Sequence, residues 1–204
     1  MKRTKEEAEI TKQAIVQSAL DLFYEKGYSK TTFEQISARI GLTKGAVYWY
    51  FKNKPELVAA LINSYMERKM KYLHQKVPEL KHFKDIENYF LTTADFLLND
   101  ENALKVAFFL SLQMEWSASI ITKVLEGVRE NMRDCFEYTK QAVILMQKNG
   151  EIRDDMDAEL IVSVILNLWT GTLEAYLSKR CLTDLKSMTQ KSFDLLFNGL
   201  VKKG

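Results

Sequence analysis

The sequence predicts an all-α fold: a three-helix N-terminal unit with a helix-turn-helix over residues 1–54, then a larger helical unit over residues 55–204. Three observations lead there. Between its breakers the chain repeats apolar residues at i, i+3 and i+4. Eight glycines and two prolines in 204 residues leave little for turns, which favours long helices with few connections. Two short helical runs within residues 31–57 are punctuated by residues suited to starting and stopping helices.

The first helix is expected from about Glu6 to Lys26, with Ile15, Ala19, Leu22 and Phe23 facing inward and Gly27 ending it. Thr31 reads as the next N-cap, with Glu34 completing a capping box. Phe33, Ile36 and Ile40 then keep helical spacing, and Gly41 suits the left-handed stop. Thr43 can cap the third helix. Asn53 caps a fourth, with Pro55 in its first turn and Glu56 at N3. No breaker follows until Pro78, so about 22 residues span roughly 33 Å. Further helices are expected over Ile86–Leu98, Ala103 to about Glu115, and Ser117 or Ser119 to Asn149, the last stopping at Gly150. Asp157 caps a helix reaching about Leu177, and Leu185–Lys202 closes the chain.

The third helix carries the functional signal. At about 100° per residue, Val47 and Phe51 share an inner face. Gly45, Tyr48, Trp49 and Lys52 fall opposite, with Ala46 and Tyr50 on the flanks. A merely solvated face would carry Glu, Lys and Gln. A mid-helix glycine costs about 1 kcal/mol relative to alanine, and Lys44 in the first turn opposes the helix dipole. Small residues permit close approach, aromatic hydroxyls reach phosphates and base edges, and lysine pairs with phosphate. A helix lying in the major groove of double-stranded DNA explains all three oddities.

These residues resemble the DNA-binding signature of TetR-family transcriptional repressors. In that signature a Gly-x-(Ser/Thr)-Lys-Gly run leads into Tyr-x-x-Phe and then Lys-x-x-Leu. Here the corresponding residues are Gly41 to Gly45, Tyr48 to Phe51, and Lys54 to Leu57. The stretch GAVYWYFKNK is most similar to the branch of AcrR-like repressors of multidrug efflux pumps. The resemblance implies phosphate or base contacts from Thr32, Thr43, Lys44, Tyr48, Trp49, Tyr50 and Lys54, and close approach at Gly45 and Ala46. Many relatives have His where this chain has Tyr50. Beyond Leu57 the chain resembles the family only in length and helical character.

Composition agrees with a globular regulator: 47% hydrophobic and 27% charged residues are ordinary values. Residues 1–76 hold 14 Lys+Arg against 8 Asp+Glu, whereas the remainder holds 15 against 19. A basic N-terminal third fits nucleic acid at one end. The start, MKRTKEEAEITK, lacks an apolar core for a signal peptide, so a cytoplasmic location is expected. The longest uncharged apolar stretch, Leu160–Leu173, suits a buried helix rather than a membrane span. Cys135 and Cys181 form no CxxC, and with only His74 and His82 no metal or cofactor site is expected. No nucleophilic triad or phosphate loop is present, so no enzyme is expected.

The helix after Asp157 is apolar nearly all round, and Gly171 would let another helix cross closely. Phe193, Leu196, Phe197 and Leu200 keep helical spacing in the last helix. The excess suggests a subunit interface, and the resemblance implies a homodimer through the last two helices. Met66, Met70, Phe109, Glu115, Trp116, Asn167, Trp169 and Tyr176 are the candidate pocket for a small lipophilic effector, since aromatics with few polar groups make such sites. A carboxylate at Glu115 within an aromatic cage would favour lipophilic cations. A ligand beside Met66 and Met70 would tilt the fourth helix and so shift the third. The leading reading is therefore a homodimeric, ligand-relieved repressor of a palindromic operator. A DNA-binding protein of division or nucleoid control without an inducer, and a helical protein-binding adaptor, stay open.

Overall fold

Helix punctuation places most of the elements. The computed structural model describes residues 4–77, 79–180 and 183–201. Helix α1 (Lys5–Lys26) starts from a capping box between Thr4 and Glu7 and ends at Gly27, whose φ of 84° requires glycine. Helices α2 (Phe33–Arg39) and α3 (Lys44–Tyr50) flank Gly41, at φ 68°. Thr43 caps α3 by accepting from the Ala46 N–H at 3.2 Å. Helix α4 (Lys54–His74) begins where Asn53 Oδ1 accepts from the Glu56 N–H at 2.9 Å and Glu56 reaches back to the Lys52 N–H at 2.8 Å.

The chain then forms α5 (Phe83–Asn99), α6 (Glu101–Phe108) running into a π-helical turn (Phe109–Gln113), and α7 (Ala118–Lys148), with Gly150 at φ 71° beyond it. Asp157 caps α8 (Ala158–Leu177) through the Glu159 and Leu160 N–H groups, and Asp184 caps α9 (Leu185–Leu200). No strand occurs among the described residues.

Two compact units result, Met1–Glu67 with Glu101–Arg129, and Arg68–Asp100 with Glu130–Gly204. Helix α6, the π turn and the start of α7 share the first unit's core. In that core Phe23 stacks on Phe109 at 4.8 Å among Ile15, Ile36, Val47, Phe51 and Leu57. The second core gathers Phe83, Phe90, Val143, Ile161, Ile165 and Phe193, with Phe90 stacked on Phe193 at 5.0 Å.

Two start signals differ from expectation. Thr32, not Thr31, caps α2, and Gln35 rather than Glu34 completes the box. Thr31 is buried, its hydroxyl donating to the Leu22 and Gly27 carbonyls. Helix α5 starts three residues before Ile86, where Asp85 accepts from the His82 N–H at 2.8 Å and Glu151, 68 positions away, from the Phe83 N–H at 2.8 Å. Cys135 and Cys181 lie outside the described residues, as does Pro78.

Helix α8 is long and apolar enough by composition to cross a membrane. In this fold it buries Ile161, Val162 and Ile165 in its unit's core and packs against α9. Leu160 and Val164 stay exposed on its other side.

Candidate nucleic-acid interface

Helix α3 is held by one face and free on the other. Val47 and Phe51 are buried in the first core, as their four-residue spacing predicts. On the outer side Trp49 is 75% exposed and Tyr48 48% exposed, with Thr43, Lys44, Gly45 and Lys52 also exposed. Ala46 is half-buried. A methyl group added at Gly45 would meet only the Thr43 hydroxyl, at 3.9 Å. Among the described residues nothing demands glycine there. Trp49 stands edge-on to Tyr50 at 4.6 Å, and Tyr48 edge-on to Phe33 at 4.9 Å, so the aromatic side chains are braced while their outer edges are open.

Charge on this face is tempered. Lys44 forms an ion pair with Glu34 of α2 and lies 5.6 Å above the Tyr48 ring. The hydrogen bond from Lys44 holds the Glu34 carboxyl below its ordinary range, and Glu34 raises the lysine in turn. Both groups are exposed, so phosphate can compete for Lys44. Thr32 is exposed, its hydroxyl already accepting from the Gln35 N–H at 3.3 Å.

Tyr50 and Lys54 sit differently from their neighbours in the signature. Tyr50 is half-buried, and its hydroxyl is buried without a hydrogen-bond partner. Lys54 Nζ donates to the Tyr28 carbonyl at 2.7 Å and lies 4.3 Å above the Tyr28 ring, with the Ser29 carbonyl at 3.4 Å. Burial pushes this ammonium below the ordinary lysine range, with Glu115 acting in the opposite sense.

Residues 15–61 match the model of the N-terminal domain of bacterial regulatory proteins, tetR family. The chain is 25% identical to the HTH-type transcriptional regulator TtgR of Pseudomonas putida, over 96% of each chain. Residues 15–61 thus carry the DNA-binding domain of tetR-family regulators. Among solved structures it is similar to NalD, the secondary repressor of the MexAB-OprM multidrug efflux pump in Pseudomonas aeruginosa. That likeness, with a TM-score of 0.80 and 24% identity over 97% of this chain and 100% of that one, is one of fold. It is 27% identical to SmeT in a complex with triclosan, with a TM-score of 0.77 over 96% of this chain and 93% of that one. SmeT is the repressor of the Stenotrophomonas maltophilia efflux pump SmeDEF. TetR-family regulators are DNA-binding repressors rather than enzymes.

The effector residues expected from the sequence fall in both units. Met66, Phe109, Glu115 and Trp116 belong to the first unit, and Met70, Asn167, Trp169 and Tyr176 to the second. Phe109 is fully buried on Phe23. Glu115 is exposed and accepts from the Ser29 hydroxyl at 2.6 Å, so it closes no aromatic cage. Trp116 is partly exposed, its indole N–H donating to the Leu110 carbonyl at 3.1 Å. Asn167 is exposed, Tyr176 half-buried, and Trp169 rests 5.3 Å from Phe90 at the margin of the second core. Met66 and Met70 are half-buried on α4.

In the last helix, Phe193, Leu196, Phe197 and Leu200 serve the second unit's own core, with Phe197 stacked on Phe83 at 4.7 Å. The uncovered apolar surface lies beside them: Leu195 is 76% exposed and Leu160 52% exposed. A groove of about 250 Å³ lined by Ile161, Val164, Leu195, Leu196 and Gly199 runs between α8 and α9.

Proposed function

We propose that this TetR-family regulator represses transcription as a homodimer on a palindromic operator and is released by a small lipophilic ligand, with an efflux-pump gene as its target. The observation that carries the reading is the outer face of α3. Its exposed tryptophan, tyrosine and lysine surround a glycine that no internal contact requires. Residues 1–54 act as the DNA-binding domain and residues 55–204 as the regulatory domain. Thr32, Thr43, Lys44 and Tyr48 reach phosphates, Trp49 reads base edges, and Gly45 and Ala46 admit the backbone to the groove.

The dimer follows from geometry on the DNA and from α8 and α9. A two-fold dimer can place its two recognition helices in successive major grooves on one face of a palindromic site. Leu160, Val164 and Leu195 form an apolar surface, and Gly171 and Gly199 have nothing within 4 Å of where a Cβ would stand. Exposed apolar residues beside open helical glycines suit a second copy's helices packed closely. SmeT's complex with triclosan supports a lipophilic effector. Trp169, at the edge of the Phe90–Phe193 aromatic stack, is the side chain such a ligand would wedge against. Helix α4 belongs to both units and would carry the displacement towards α3.

Band shifts on the DNA upstream of the protein's own gene test the reading, with triclosan as the probe. A shift abolished by triclosan, and left intact by it in Trp169→Ala, is expected. A shift indifferent to lipophilic compounds would favour the regulator without an inducer. Absence of any shift would leave the protein-binding adaptor.

A further inference from the structure

Three segments distant in sequence meet beneath the α1–α2 turn, all within the first unit. Lys54, opening α4, sends its ammonium to the Tyr28 carbonyl at 2.7 Å and towards that of Ser29 at 3.4 Å. The Tyr28 ring covers one side of it at 4.3 Å. Ser29 donates its hydroxyl to Glu115 at 2.6 Å, 86 residues later. Gln113, two residues before Glu115, donates to the Tyr24 carbonyl at 3.0 Å. Tyr28 is itself buried, and burial followed by the Glu115 charge raises its hydroxyl above the ordinary tyrosine range.

An ammonium has three donors. Here two are aimed at backbone carbonyls and a ring face shields the group, so little of Lys54 is left to meet a phosphate. The carboxylate of Glu115 also offsets its charge locally. What the arrangement does provide is attachment. Lys54 binds the first turn of α4 to the turn that leads into α2, and Ser29 with Glu115 binds that turn to the segment after the π-helical turn.

We propose that Lys54 and Glu115 are positioning residues for DNA binding: together with Ser29 they latch the start of α4 and residues 113–117 to the α1–α2 turn, which fixes the helix-turn-helix in its docking geometry. The proposal rests on the DNA-binding reading of α3, but it assigns Lys54 to a carbonyl clamp rather than to the DNA backbone. It also makes Glu115, an acidic residue well outside the signature, a determinant of operator affinity.

Electrostatics alone and the latch give opposite signs. Deleting a carboxylate near a DNA-binding surface raises affinity if the charge acts only through its field. The latch requires that Glu115→Ala lower it, by roughly fivefold to tenfold, the size expected when one hydrogen bond at an exposed site is lost. Ser29→Ala, which changes no charge at an exposed site, should lower it by a smaller factor in the same direction. Lys54→Met should weaken binding with the salt dependence unchanged. A lysine paired with phosphate would instead cost a slope of about 0.9 in log K against log salt.

The test measures operator affinity of the full chain by fluorescence anisotropy at several salt concentrations, for these three variants and for Lys54→Met combined with Glu115→Ala. Amide hydrogen exchange at residues 28–31 is followed in the free protein. The expected result is lowered affinity for all three, an unchanged slope for Lys54→Met, a double variant little worse than the worse single, and faster exchange in the turn. Higher affinity for Glu115→Ala, or a slope reduced by about one unit for Lys54→Met, would overturn the proposal. Exchange reads the latch without DNA, so unchanged protection in Ser29→Ala and Glu115→Ala would overturn it even if operator binding itself failed. A chain that bound no DNA would count against the proposed function instead.

Discussion

Helices α3 and α8 each leave one side uncovered, and the chemistry of the two sides differs. On α3 the exposed residues are Lys44, Tyr48, Trp49 and Lys52 around Gly45, a mixture of donors, rings and open backbone. On α8 they include Leu160 and Val164 with Gly171, and beside them on α9 stands Leu195. Both faces hold a glycine that nothing internal requires. The first can satisfy a charged, hydrogen-bonding surface, and the second can only be satisfied by apolar contact. On the proposed function, the same device, an open helical glycine, would serve close approach to a duplex in one place and to a second protein helix in the other.

The largest way to break this comparison is to charge the aliphatic face. Leu195→Glu should dissociate the dimer while thermal stability of the monomer stays close to wild type, since the residue touches little of its own unit. Operator affinity should then fall by about 100-fold or more, because half-sites no longer bind together. Sedimentation and anisotropy on one sample check both. Phe197→Ala, two positions on, should act in the opposite manner: Phe197 stacks on Phe83, so its loss should cost about 2–3 kcal/mol of folding stability. If Leu195→Glu stayed dimeric, the interface would lie elsewhere.

On α3, Trp49→Ala should lose about 1–3 kcal/mol of operator affinity, concentrated on one or two base pairs per half-site. Binding to a panel of singly substituted operators reads this, and a uniform loss would make Trp49 a backbone contact. A smaller effect with a sharper sign comes from Gly45→Ala. An alanine fits the free protein and should stabilise the helix by up to about 1 kcal/mol. It should nevertheless weaken DNA binding by about tenfold, because the added methyl meets the groove, and a variant improved in both respects would remove the close approach. The smallest effect is expected of Lys44→Met, a loss of a few-fold with the salt slope reduced by about 0.9, since the Glu34 ion pair already occupies the lysine in the free protein.

The sequence was most legible where structure is decided locally. Gly27, Gly41 and Gly150 stop helices at positive φ, and Thr43, Asn53 and Asp157 start them. Each signal acts within four residues. It failed where a distant partner intervenes. Thr31 is drawn inward by carbonyls of α1 and the turn, which passes the cap to Thr32. The start of α5 takes its Phe83 N–H partner from Glu151, beside the local cap of Asp85. The π turn at Phe109–Gln113 depends on backbone register that side-chain spacing does not encode. The exposed face of α3 was readable because an aromatic, glycine-bearing solvent face violates the ordinary pattern. The candidate effector residues were not, because Phe109 or Trp169 in a core and in a pocket have the same residue types and spacing. The contact of Lys54 with the Tyr28 carbonyl was not readable either, since its position beside the turn exists only after α1 and α4 fold together.

Guanine N7 protection from methylation on the upstream operator tests the central claim most directly, since that atom lies in the major groove. Two symmetry-related protected segments, about 10 base pairs or a multiple of that apart, are expected with the wild-type chain, and both should disappear together with Leu195→Glu. A single protected segment, protection that persists in the monomer, or bound DNA whose major groove stays fully reactive would contradict it.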